Sequence, residues 1–101
     1  MPKGYWIVDL DITDRDTFMR EYVAGVEPFL REHQGRFLVR AGKRETREGH
    51  GRSIPVVIEF PSYEAALAAY NSPAYAALKD LRAKCSNCDF SVAEGYDGPQ
   101  P

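Results

Sequence analysis

The chain has 101 residues, 13 Lys and Arg against 15 Asp and Glu for a formal net charge of -2, and is 44% hydrophobic and 12% aromatic. This is the profile of one globular domain, long enough to bury about 65% of its unfolded surface without disulfides or metal. The charge balance excludes the basic footprint of a nucleic-acid binder, and the longest apolar run is far too short to span a bilayer, so neither nucleic acid nor membrane is an expected partner. Met1-Pro2-Lys3-Gly4 leads into a strand pattern without an apolar leader. The cytoplasm is the compartment this predicts.

Gly4 to Ile12 alternates, Trp6, Val8, Leu10 and Ile12 on one face and Tyr5, Ile7, Asp9 and Asp11 on the other, as a half-buried strand does. Thr13 stands where a helix N-cap belongs, with Asp16 three residues on. A helix follows, its stripe Phe18, Met19, Tyr22, Val23, Val26, Phe29, Leu30 and His33 recurring at three-to-four spacing. Pro28 removes a backbone donor and clashes one turn back, which predicts a kink or restart near Gly25 and Pro28. Gly35 is expected to stop the helix.

Arg36 to Gly42 reads as a second strand, Phe37, Val39 and Ala41 on one face and Arg36, Leu38 and Arg40 on the other. Lys43 to Ser53 is charged and contains Gly49-His50-Gly51, which suits a solvated hairpin arm. Ile54 to Phe60 is β-branched enough for a central strand. Ser62 then caps a helix carrying Ala66, Leu67 and Tyr70, and Ser72-Pro73 breaks and restarts it, packing Ala74, Ala77, Leu78 and Leu81. Asp89 to Tyr96 is the last strand.

Strand, helix, strand, strand, helix, strand is the βαββαβ order of the ferredoxin-like α+β fold, an antiparallel four-stranded sheet with helices on one face. Residues 1–96 are expected to form this single domain, and 97–101 a disordered tail. The uncovered face offers Tyr5, Ile7, Asp9, Leu38, Arg40, Val57 and Glu59, too apolar for open water and too charged for a core. A second copy of the sheet would resolve that conflict, so a homodimer is expected.

The runs Gly4-Tyr5-Trp6-Ile7, Gly35-Arg36-Phe37-Leu38-Val39-Arg40, Val56-Val57-Ile58-Glu59-Phe60-Pro61-Ser62, Tyr70-Asn71-Ser72-Pro73-Ala74-Tyr75 and Glu94-Gly95 closely resemble the family named domain of unknown function 1330. The resemblance spans Gly4 to Tyr96 and implies the dimeric α+β barrel superfamily, which includes cofactor-free monooxygenases, haem-degrading enzymes and decarboxylases. It carries no assigned activity. Cys85 and Cys88 stand outside the resemblance.

Cys85-Ser86-Asn87-Cys88 has redox or half-zinc spacing, but it follows a helix, where the dipole opposes a thiolate. Zinc would need two more ligands, and His33 and His50, the ones available, are neither adjacent nor paired, so no metal is expected. His33 sits on the apolar stripe and reads as structural; His50 sits at a loop tip. No cofactor motif is present, and none is expected.

Two sets remain. Asp9, Arg40 and Glu59 lie on the uncovered face of neighbouring strands; they form either an ion-pair network that fixes dimer register or a pocket in which Arg40 holds a carboxylate or enolate. Trp6, Tyr22, Phe29, Tyr70 and Tyr75 are core, or the walls of a second pocket between helices and sheet. The function expected is a homodimer that binds or transforms a small organic molecule without a bound cofactor, with a non-catalytic regulatory or interaction module as the alternative.

Overall fold

In the computed structural model, which describes residues 2–101, β1 (Gly4–Ile12) buries Trp6, Val8 and Leu10 and leaves Ile7 exposed, as its alternation requires. Thr13 is not the cap that follows. Asp14 is, its carboxylate accepting from the Thr17 N–H at 3.2 Å and from the Thr17 hydroxyl at 2.8 Å. Helix α1 (Arg15–Thr17), a π segment (Phe18–Val23) and helix α2 (Ala24–Glu32) then run on without a break. Pro28 is therefore absorbed inside α2, and the irregularity lies one turn ahead of it, in the widened π turn.

The helix ends one residue earlier than glycine placement suggests. Gln34, at φ 61, takes the left-handed position, while the Gly35 N–H donates to Leu30 O at 2.8 Å and the Gln34 N–H to Arg31 O at 3.4 Å, a Schellman closure. Gly35 is needed for closeness rather than for its φ: a Cβ there would lie 2.9 Å from Leu30 Cδ2 and 3.1 Å from the Phe60 ring.

Strand β2 (Arg36–Arg40) pairs with β3 (Ile54–Phe60), β3 with β1, and β1 with β4 (Ser86–Glu94), all antiparallel. The order β2-β3-β1-β4 is that of the ferredoxin-like α+β fold. Helices α3 (Tyr63–Asn71) and α4 (Pro73–Cys85) are capped as expected, Ser62 Oγ accepting from the Ala65 N–H at 3.0 Å and Ser72 Oγ from the Tyr75 N–H at 3.3 Å, with Pro73 in the first turn. The buried face of α4 differs from the expected one: Ala74 and Ala77 are exposed, and Tyr75, Arg82 and Cys85 point inward. Helix α4 passes into β4 without a turn, so Cys85 ends the helix and Cys88 already faces Leu10 in the sheet.

The core lies between the sheet and the helices and is centred on Trp6. Its ring centroid is 4.9 Å from that of Phe60, 5.0 Å from Tyr75 and 5.1 Å from Phe90, and its indole N–H donates to Ala66 O at 2.9 Å. Lys43 to Ser53 forms no paired strands. The segment is exposed as expected, but it is an irregular arm rather than a hairpin, and Arg44 and Arg52 hold it against the sheet. Among the described residues, no helix is long and apolar enough to cross a membrane.

Candidate functional site

A bulge decides where the charged residues of β2 point. Arg36 pairs with Glu59 and Phe37 with Ile58, but Val39, not Leu38, pairs with Val57, and Arg40 with Val56. One extra residue reverses the alternation beyond it. Val56 also pairs with the buried Val8 of β1, so Arg40 lies on the helix-covered side of the sheet. There its guanidinium pairs with Glu27 of α2 and sits 4.2 Å over the Phe37 ring.

The set Asp9, Arg40 and Glu59 is consequently not brought together. Glu59 takes the Tyr5 hydroxyl at 3.1 Å and Arg36 Nε at 3.7 Å. Asp9 takes Arg44 Nη1 at 2.9 Å and the Arg52 N–H at 3.1 Å, both from the arm. The arm also binds Asp11, through the Ser53 N–H at 2.9 Å and Arg52 Nη1 at 3.1 Å, and Asp89, through Arg52 Nε at 3.0 Å. Asp9, Asp11 and Asp89 share the uncovered face, because Asp9 pairs directly with Asp89 across β1 and β4. That face is thus divided, with an acidic end clamped by the arm and an open end holding Ile7, Leu38, Val39 and Val57. Ile7 and Leu38 are 46% and 45% exposed.

On the helix-covered side, a cavity of about 310 Å³ lies between the sheet and the first helical stretch. Its floor is Trp6, Val8 and Leu10 of β1 with Ile54, Val56 and Ile58 of β3; its roof is Phe18, Met19, Tyr22, Val23 and Val26. Phe90 of β4 also lines it, and Arg15 and Arg40 are its charged residues. Of the expected aromatic walls, Trp6 and Tyr22 line the cavity. Phe29, Tyr70 and Tyr75 pack around Trp6 in the core, with Phe29 and Tyr75 centroids 5.2 Å apart.

Tyr22 also belongs to a polar chain that the strand and helix patterns do not disclose. The Tyr22 and Tyr75 hydroxyls are 2.6 Å apart, and Arg82 Nη1 donates to the Tyr75 hydroxyl at 3.0 Å. Tyr75 is fully buried and Arg82 is 6% exposed. Burial pushes both phenols above their ordinary value, so both hydroxyls keep their protons. A signal for Arg82 does exist in the sequence: it lies seven residues after Tyr75, in the stripe with Leu78 and Cys85.

The cysteines lack the setting of reactive thiols. Cys85 is buried, donating to Leu81 O at 3.1 Å, and burial pushes both the Cys85 and Cys88 thiols above their ordinary value. His33 is held structurally, its Nδ1 2.9 Å from Phe29 O and its ring stacked on Phe29. His50 is exposed in the arm. Among the described residues no three His, Cys, Asp or Glu side chains gather to hold a metal ion.

Residues 3–96 match the family described as domain of unknown function (DUF1330). The chain belongs to the DUF1330 family. Among solved structures it is similar to RPA0582, a protein of unknown function from Rhodopseudomonas palustris, with a TM-score of 0.72 and 11% identity over 96% of this chain and 85% of that one. A methylated form of RPA0582 gives a TM-score of 0.74 and 9% identity, covering 98% and 84%. SnoaB, a cofactor-independent oxygenase from Streptomyces nogalater, gives a TM-score of 0.63 and 12% identity, covering 100% of this chain and 97% of that one. At these identities the likeness is one of fold. No curated protein matches the chain.

Proposed function

We propose that this DUF1330 protein binds or transforms a small apolar organic molecule in the cavity between its sheet and first helical stretch, without a bound cofactor. The observation that carries this reading is the cavity: about 310 Å³ of space walled by apolar side chains in a 101-residue chain that would otherwise fill its core. Protein interiors pack densely, and a void of this size costs the contacts its walls would make. A pocket of about 300 Å³ or more with few polar groups suits a compact organic ligand. The fold shared with SnoaB, an oxygenase independent of cofactors, supports the same reading.

The acting unit in this proposal is a homodimer, joined through the open end of the uncovered face. Ile7, Leu38, Val39 and Val57 would be covered there, while the arm keeps the acidic end in water. Light scattering at micromolar concentration tests the assembly. A dimer that Ile7→Lys converts to a monomer supports it, and a monomeric wild-type protein overturns it.

Trp6 is the single tryptophan and lines the cavity, so its fluorescence reports occupancy directly. A metabolite screen read by Trp6 fluorescence and thermal shift tests the binding proposal. A ligand at about a hundred times its Kd should add about 2.7 kcal/mol. Turnover of the bound compound would mark an enzyme, and binding without turnover a regulatory module. A screen in which no apolar compound alters Trp6 fluorescence overturns the reading.

A further inference from the structure

Arg82 is a buried cation without a counter-ion: among the described residues it forms no ion pair, and its Nε has no hydrogen-bond partner. A guanidinium has donors and no acceptor, and it does not deprotonate in a protein. Its neighbours do not neutralise it. The Cys88 thiol stays protonated because burial pushes it up, and the face of Phe90, 5.0 Å from the guanidinium carbon, offers only a quadrupole.

Proton counting gives the chain Arg82, Tyr75, Tyr22 a direction. Arg82 donates to the Tyr75 oxygen. The two phenols carry two O–H protons, and the single bond between their hydroxyls consumes one. If Tyr22 donated to Tyr75, the proton left over would sit on Tyr75, a residue with no exposure at all and no other acceptor. If Tyr75 donates to Tyr22, the proton left over belongs to Tyr22, which lines the cavity. The second arrangement puts the spare donor on the residue that a ligand in the cavity can reach and so leaves it able to be satisfied. Each bond in it also polarises the next.

We infer that Arg82, Tyr75 and Tyr22 form the anion-recognition end of the cavity, with the Tyr22 hydroxyl donating to an oxyanion, a carboxylate or enolate oxygen, on the bound apolar molecule. This rests on the cavity reading above and adds to it the class of ligand: an apolar acid or enol, bound ionised. Arg40 and Arg15 are not the groups that select it, since the charge of Arg40 is already paired with Glu27 and Arg15 is exposed to water. The ligand oxygen would replace the missing countercharge of Arg82 through the hydroxyls of two buried tyrosines.

The test compares 1-naphthoate with its neutral analogue 1-naphthylmethanol, both followed by Trp6 fluorescence and calorimetry on the full chain. The wild-type protein is expected to prefer the naphthoate. Tyr22→Phe should weaken naphthoate at least about tenfold and leave naphthylmethanol nearly unchanged, the loss ordinary for a hydrogen bond to a charged group. Tyr75→Phe and Arg82→Met should abolish the preference, while Arg40→Met leaves most of it. Tyr75→Phe keeps the test of the inner end open should Arg82→Met fail to fold. Equal losses for both probes in Tyr22→Phe, or a preference removed by Arg40→Met alone, overturn this inference and leave the cavity reading standing. Failure of both probes to bind the wild-type protein overturns this inference, and the cavity reading falls with it when the metabolite screen also finds no ligand.

Discussion

Arg40 of β2 pairs with Glu27 of α2 across the helix-covered side of the sheet, although strand alternation places Arg40 on the opposite face, beside Glu59. The bulge between Phe37 and Val39 is the cause. Arg40 and Glu59 end up on opposite faces, three residues or about 10 Å apart along β3.

A double-mutant cycle separates the two arrangements. Arg40→Met combined with Glu59→Gln should be additive within about 0.5 kcal/mol in urea denaturation. Arg40→Met with Glu27→Gln should show coupling of at most about 1 kcal/mol, because both side chains are nearly half exposed. Coupling of about 3 kcal/mol between Arg40 and Glu59 would contradict the bulged register.

Acid should release the arm before it unfolds the domain. Bonds from Ser53, its hydroxyl first and its backbone N–H next, hold the Asp11 carboxyl below the ordinary carboxylate value. A carboxyl with a depressed folded pKa contributes stability above its unfolded value and loses it as pH falls through the folded one. The protection factors of the Arg52 and Ser53 amides, with the slowing of intrinsic exchange in acid divided out, should therefore begin to fall as pH drops through about 4 and continue to fall below it. Asp11→Asn should give the fast exchange at neutral pH and remove the acid step, and a flat profile in the wild-type protein would refute the clamp.

Both cysteines should react slowly with a disulfide reagent in the native protein and rapidly in denaturant. Burial raises both thiols, and the thiolate is the reacting form. Rapid native labelling of either near neutral pH would restore a redox role for the Cys85 and Cys88 pair.

Filling the cavity should cost little stability and all of the binding. Val23→Phe adds a ring where Val23 lines the roof. Its thermal midpoint should stay within a few degrees of the wild-type value, since the added atoms occupy space rather than displace neighbours. Apolar ligands should cease to alter Trp6 fluorescence. Undiminished binding would place the ligand elsewhere.

By itself the sequence determined the order of elements, the buried face of β1, and the capped restart at Ser72 and Pro73, because each is written in local chemistry: alternation, a hydroxyl before a helix, a proline in the first turn. It also determined the family, through runs spread from Gly4 to Gly95. Only the tertiary structure decided the facing of Arg40, since one extra residue in β2 reverses the alternation beyond it and leaves no local mark. The ion pairs of Asp9, Asp11 and Asp89 with the arm were likewise invisible, as they join residues more than thirty positions apart whose meeting depends on how an irregular segment lies on the sheet. Arg82 falls between these cases. Its place in the stripe with Tyr75, Leu78 and Cys85 was legible, but a lone arginine in such a stripe ordinarily extends its head to water. That this one stays inside, bonded to Tyr75, over the Phe90 ring and short of an acceptor at Nε, depends on tertiary contacts of α4 with the helices and β4.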